Sequence, residues 1–176
     1  VGGKPVLFTS LRSTYMHEVD SARGFSDFNN PTRIHGPKDF QKAAAKIGYT
    51  FNWFYADDKH TAYFNSGNNP LRADGTTGQL PMDPSKTWKG WDPDTNIAQY
   101  TPPSQHPQAI DQDWMTSWNN RQAAGYAGSD DNLFSSVFRS MMLDRQIKAR
   151  LRGGRKLTLP KLVDAIDVAA TIDLRG

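Results

Sequence analysis

Two adjacent asparagines follow a tryptophan in the stretch DWMTSWNNRQAAGY, which covers residues 113–126. An asparagine amide donates hydrogen bonds without carrying a charge, so either Asn119 or Asn120 could be a fixed donor in an active site. Asparagine is also frequent in turns, because its short amide competes for neighbouring backbone groups. Taken alone, the stretch favours a turn, and a chemical role for one amide depends on the rest of the chain.

The histidines do not have the spacing of a metal site. His17 and Glu18 lack the second histidine that completes a zinc-protease helix, and His35, His60 and His106 show no ligand spacing. The sequence also lacks the Gly-x-Ser-x-Gly elbow, the Walker loop and the dinucleotide-binding fingerprint. We therefore expect neither a transition-metal site nor an enzyme of these motif-defined classes.

The composition is that of a globular domain or a large part of one. The 176 residues are 37% hydrophobic and 22% charged. No apolar run approaches the roughly 20 residues needed to cross a bilayer, and the first residues lack the apolar core of a signal peptide. Acids and bases are interspersed at a net charge of +3, so neither a membrane nor nucleic acid is an expected partner. The absence of cysteine excludes disulfides and thiolate chemistry.

A short helix and a hairpin are predicted in the first half of the chain. Residues 37–47 begin with a first-turn proline, precede Gly48, and carry one apolar face, formed by Phe40, Ala43, Ala44 and Ile47. Residues 49–56 then alternate with the period of a strand, and residues 61–66 return as a second strand after the turn at residues 57–60.

The second half is predicted to be a long aperiodic region followed by two helices. Residues 70–112 hold most of the prolines and scattered aromatic residues, which favours a segment wrapped over a larger body. Residues 134–152 have helical spacing and a basic end before a glycine pair. The last helix is predicted to begin at a Thr158 cap and to carry an apolar stripe, formed by Leu159, Leu162, Val163, Ile166 and Ala170.

Two features have binding alternatives that we do not favour. The basic run at residues 148–156 could bind phosphate groups, but a solvated helix end explains it. Trp53, Tyr55 and Tyr63 could stack on bases or sugars, but aromatic strand faces more often form core.

Five segments, taken in order, carry a further pattern: FNWFYADDKHTAYFNSGNNPLRADGTTGQLP, WKGW, HPQAIDQDWMTSWNNRQAAGYAGSD, FRSMMLDRQI and AATIDLRG. Their order and spacing resemble the penicillin acylase family of N-terminal nucleophile amidohydrolases. The shared features between Asn52 and Arg145 include Asn-Trp-x-Tyr-Ala-Asp, Trp-Lys-Gly, Trp-Asn-Asn and an arginine five residues before Asp-Arg. The resemblance is weaker before Gly24 and at residues 82–107, and the hairpin turn lacks the family's Gly-Asn.

This resemblance implies an α+β chain that is a segment of the four-layer αββα fold, with residues 1–176 forming one part of the family's large chain. Family members act through an amino-terminal serine whose own amine serves as the base. Val1 is not that serine. We therefore expect the nucleophile to lie outside this chain, the chain alone to be inactive, and its partners to be the small chain and the nucleophile-bearing part of the large chain.

The resemblance also implies roles for five residues. Asn119 falls on the family's oxyanion-stabilising asparagine, and Arg139 on the arginine that holds this asparagine and the substrate. Phe28 and Phe51 fall on positions that line the acyl-side pocket, with ordinary core packing as the alternative. Asp130 falls on a calcium ligand, with a helix-capping carboxylate as the alternative.

The expected activity is hydrolysis of an amide that joins an acyl group to an amine. The small-molecule substrate could be a penicillin, an acyl-homoserine lactone or a lipopeptide. The resemblance implies no organic cofactor, a structural calcium ion, and a periplasmic or secreted location. The alternative is a non-catalytic binding or scaffold module related to the family.

Overall fold

The computed structural model describes residues 2–78, 80–126 and 138–172, without the side chains of Pro84, Phe138 and Arg139. The chain divides into two compact units. The first comprises Val1–Asp111 and Gly125–Asn132, and the second comprises Gln112–Ala124 and Leu133–Gly176.

The first unit combines short helices with a small antiparallel sheet. After a 3₁₀ turn at Glu18–Ser21, its elements are α1 (Ala22–Phe28), α2 (Pro37–Ala44), β1 (Asn52–Ala56), β2 (Thr61–Asn65), α3 (Pro84–Thr87), a 3₁₀ turn at Pro103–Gln105, and β3 (Gln108–Ile110). The strands lie in the order β1-β2-β3, and both pairs are antiparallel. This mixture of helices and antiparallel strands agrees with the α+β expectation.

The core of this unit lies between α2 and one face of the hairpin. Its buried residues are Phe40, Ala44, Ala62 and Phe64, and Phe28, Trp53 and Tyr55 pack against them. Trp53 and Tyr55 alternate with the exposed Phe54, as the strand period predicts. The stacking-platform reading of these aromatic residues is therefore not needed to explain the face.

Helix α1 approaches α2 at a glycine. A Cβ atom on Gly24 would stand 2.5 Å from Ile47 Cγ1 and 2.7 Å from the Ala43 carbonyl oxygen, which is closer than real atoms pack.

The helix predicted over residues 37–47 ends early, at Ala44. Lys46 and Ile47 donate to carbonyl groups three residues back, so the last turn tightens instead of continuing as α-helix.

Residues 70–111 belong to the same unit, and β3 joins them to its sheet. Isolated antiparallel bridges join Pro70 to Tyr100 and Arg72 to Trp88, and β3 pairs with β2. Trp88 is buried. This arrangement agrees with the prediction of a wrapped segment.

The second unit contains a helical hairpin. Its helices are α4 (Phe138–Leu151) and α5 (Leu159–Thr171), and Arg150 pairs with Asp164 between them. Thr158 occupies the N-cap position of α5, as predicted, but its side chain makes no capping hydrogen bond. No helix in the described ranges has the length and apolar character needed to span a membrane.

A carboxylate organises the turn of the first unit's hairpin. Asp57 Oδ1 accepts hydrogen bonds from the backbone N–H groups of Lys59 (2.8 Å) and His60 (2.6 Å), and the Tyr55 hydroxyl donates to Oδ2. These bonds lower the pKa of Asp57 to about 2, with the Tyr55 bond as the largest cause. Across the sheet, the His60 ring lies 2.9 Å from a carboxylate oxygen of Asp111 and lowers the pKa of that group. The Asp57 carboxylate thus holds the turn of the hairpin.

We expect the Asp57→Asn variant to lose part of the acid sensitivity of unfolding. The folded pKa lies below the unfolded value of about 3.9, so ionised Asp57 stabilises the fold above about pH 4. This contribution disappears as the pH falls towards about 2. The measurement is the unfolding midpoint as a function of pH. Equal profiles for the wild type and Asp57→Asn would contradict the prediction.

Candidate active site

The Trp-Asn-Asn stretch forms a bend with one residue in the left-handed region. Asn119 has φ of +52°, a conformation that asparagine adopts more readily than most side-chain-bearing residues. Its side chain is exposed, whereas Trp118 and Asn120 are half-buried. In the described part of the chain, the Asn119 amide has no hydrogen-bond partner. The turn prediction is therefore confirmed at this residue.

Asn120 is bound to the backbone on both sides of the bend. Its Oδ1 accepts a hydrogen bond from the Trp118 N–H at 2.9 Å, and its Nδ2 donates to the Arg121 carbonyl at 3.1 Å. The two asparagines thus have different surroundings: the Asn119 side chain is exposed to solvent, whereas the Asn120 amide binds the backbone of the bend.

Two contacts tie the segment before this bend to α4. The Thr116 hydroxyl donates to Asp144 Oδ1 at 2.7 Å. The Lys148 ammonium lies 5.2 Å from the centre of the Trp114 ring, within the range of a cation–π interaction. Because both partners lie on α4, the helix fixes the approach of the chain to Asn119.

Replacing Thr116 with valine is expected to destabilise the second unit by about 1.5 kcal/mol, because a half-buried carboxylate loses a hydroxyl donor. The measurement is its free energy of unfolding in urea. Thr158→Val is the matched control, since the Thr158 hydroxyl makes no capping bond. Equal losses in the two variants would show that the Thr116–Asp144 bond contributes nothing specific.

The two phenylalanines implied in the acyl pocket have different surroundings. Phe28 packs in the core, with its ring centre 5.6 Å from Phe40 and 5.3 Å from Trp53. Phe51 is 53% exposed and lies 5.7 Å from the same Trp53 ring. Trp53 therefore links the two rings, but only Phe51 borders open space.

Phe51 lines a cavity of about 840 Å³ in the first unit. The cavity lies between residues 7–14 and the segments around Thr50 and Trp88. Its walls include the side chains of Arg12 and Arg72 and several hydroxyl groups, but no acidic residue. The cavity is large enough for a small ligand.

A buried polar cluster behind the hairpin was not anticipated. His106 is buried, stacks on Phe64 with ring centres 5.6 Å apart, and has its two ring nitrogens 2.8 Å and 3.1 Å from the carbonyl oxygens of Asn65 and Thr101. The Tyr126 hydroxyl accepts from Asn69 Nδ2, and burial raises the Tyr126 pKa to about 12. The partners are far apart in sequence, so no local pattern indicates the cluster.

The sequence is similar to known proteins of one family. The family model described as penicillin amidase matches residues 3–169. This chain belongs to the penicillin amidase family. Penicillin G acylase of Escherichia coli is 28% identical over 141 residues, which cover 78% of this chain and 16% of that protein. The chain thus spans less than a fifth of the length of this penicillin amidase relative.

Two of the implied residues, Arg139 and Asp130, lie partly or wholly outside the described part of the chain. Arg139 lies on α4, five residues before Asp144, but its side chain is outside the described part. Asp130, the implied calcium ligand of the penicillin amidase resemblance, also lies outside the described residues. Within residues 2–78, 80–126 and 138–172, no group of three or more histidine or acidic side chains could hold a metal ion.

Proposed function

We propose that this chain is part of an amidohydrolase of the penicillin acylase type, which cleaves an amide between an acyl group and an amine. The observation that carries the proposal is the penicillin amidase match over residues 3–169. In this proposal, the sheet and helices form part of the family's four-layer αββα fold. An amino-terminal serine on another segment supplies the nucleophile, and the small chain completes the enzyme.

Asn119 acts as one donor to the oxyanion that forms when the serine attacks the amide carbonyl. Three features support this role: the amide is neutral, its side chain is exposed, and its backbone lies in a turn held by side-chain bonds. A donor fixed before the reaction stabilises the transition state without having to be reoriented during it.

Arg139 orients Asn119 and the substrate. Its place on α4 supports this role, because α4 is also the helix to which the Trp-Asn-Asn segment is tied. A guanidinium group can bind an amide oxygen or a carboxylate through two parallel N–H groups.

The acyl group of the substrate occupies a pocket to which Phe51 contributes. The exposure of Phe51 and its place on the cavity wall support this assignment. Phe28 shapes the pocket only through Trp53, since its own ring packs in the core. We further propose a structural calcium ion with Asp130 as a ligand, and a periplasmic or secreted location, both on the family resemblance alone.

Hydrolysis of a panel of phenylacetyl and fatty-acyl anilides tests the proposal. The full-length, processed protein should release aniline from at least one acyl class, and the 176-residue chain alone should release none. Mass spectrometry of the processed protein should find serine at the amino terminus of the large chain. A correctly processed protein that hydrolyses no member of the panel would favour the non-catalytic scaffold alternative.

A further inference from the structure

Asn120 has a different position and different contacts from its neighbour. It is half-buried, and its amide is engaged at both ends, with the backbone N–H of Trp118 and the carbonyl of Arg121. These two backbone groups stand on either side of Asn119. The bond to the Trp118 N–H spans Asn119, so a movement of the Asn119 backbone that separates Trp118 from Asn120 would lengthen it.

The backbone of Asn119 lies in a conformation that bonds from its neighbours can stabilise. Its φ of +52° lies in the left-handed region, which is less favourable than the right-handed region for a residue with a side chain. Residues remain in this region when the surrounding structure determines their conformation. Here the surrounding bonds come from the side chain of the next residue.

We propose that Asn120 is a positioning residue that holds Asn119 in its left-handed conformation and thereby aims the Asn119 amide at the oxyanion. This inference rests on the proposed function and adds a second residue to it. The two hydrogen bonds of Asn120, to Trp118 and Arg121, explain why two asparagines occur side by side. Asn119 stabilises the negative charge of the oxyanion, and Asn120 fixes the orientation of Asn119. Asn120 itself does not touch the substrate.

The Asn120→Ala variant removes both bonds while leaving the Asn119 amide in place. We expect its kcat in the full-length, processed enzyme to fall roughly 10-fold to 100-fold, because a small displacement of a reacting group has effects of this size. KM should change little, since the donor acts mainly in the transition state. Asn30→Ala is the matched control: Asn30 Oδ1 also holds a loop, by accepting from the Thr32 N–H at 3.0 Å, but in the other unit.

A double-mutant cycle separates positioning from general stabilisation. The Asn119→Gly variant keeps a residue that tolerates positive φ but deletes the donor. If Asn120 acts through Asn119, adding Asn120→Ala to Asn119→Gly should lower kcat no further. If the two losses multiply, or if Asn120→Ala lowers only the melting temperature and leaves kcat intact, the positioning role is wrong.

The cycle also distinguishes failure of this inference from failure of the proposed function. A wild-type protein without amidase activity, or Asn119→Gly at full activity, would reject the donor assignment and the positioning role with it. A large loss in Asn119→Gly beside an unchanged Asn120→Ala would reject the positioning role alone. A crystal structure of the active Asn120→Ala variant should show Asn119 displaced from its left-handed conformation, and an unmoved Asn119 would overturn the proposal.

Discussion

The Asn119→Ala variant of the full-length, processed enzyme is expected to lose about 100-fold or more in kcat, which is the typical loss when one oxyanion donor is removed. The alanine side chain leaves the developing charge without this hydrogen bond. Because the substrate carbonyl carries less negative charge than the transition state, KM should change much less than kcat. The measurement is steady-state hydrolysis of the best anilide from the panel.

Two further variants sharpen this expectation. Asn119→Asp keeps the size of the side chain but replaces the amide donor with a negative charge, so it should be at least as impaired as alanine. Asn29→Ala, which removes an exposed amide at the end of α1, should retain wild-type kcat. A fall in kcat of similar size in Asn29→Ala and Asn119→Ala would indicate a general effect on folding and would contradict the donor role.

Replacing Phe64 with alanine is expected to destabilise the first unit by about 3–5 kcal/mol, the usual cost of truncating a buried phenylalanine. Phe64 is only 2% exposed, belongs to the buried core, and stacks on His106. Truncation would remove apolar burial and leave a cavity beside the His106 ring. The measurement is the free energy of unfolding in urea.

Phe54→Ala is the matched control in the same hairpin. Phe54 is 47% exposed, and its ring contacts Tyr63 across the strands at 5.3 Å between ring centres. Its truncation should cost about 1 kcal/mol or less, the scale of a cross-strand side-chain pair. Equal losses at Phe64 and Phe54 would mean that the core of this unit is not where the structure places it.

Local sequence patterns predicted the helix and strands whose conformation depends mainly on nearby residues. The hairpin and α2 followed from the alternation around Trp53 and from the proline at residue 37, and both elements are confirmed. Their bounds differ: α2 ends early, at Ala44, and the first strand begins at Asn52, three residues later than predicted. The chemistry of the hairpin turn was missed. The Asp57 carboxylate accepts hydrogen bonds from the backbone N–H groups of Lys59 and His60 and from the Tyr55 hydroxyl. The turn was located from the sequence, but these bonds were not identified.

Long-range packing could not be derived from the sequence. Phe28 and Phe51 are the same residue type beside similar neighbours, yet one faces the core and the other a cavity, because their surroundings come from distant segments. The bond between His106 and the Asn65 carbonyl joins residues 41 positions apart, so no local spacing reports it. The turn at Asn119 was expected from its amides, whereas its assignment to an oxyanion came from resemblance.

The absence of a side chain at Gly24 affects the packing of residues elsewhere on α1. A Cβ atom at this position would stand only 2.7 Å from the Ala43 carbonyl oxygen, so the close approach of α1 to α2 depends on the absence of a side chain at Gly24. Phe28 lies one turn further along α1, so this spacing also determines how its ring meets Phe40 and Trp53. Replacing Gly24 with alanine would therefore push α1 away from α2 and disturb the packing of the aromatic rings around Trp53.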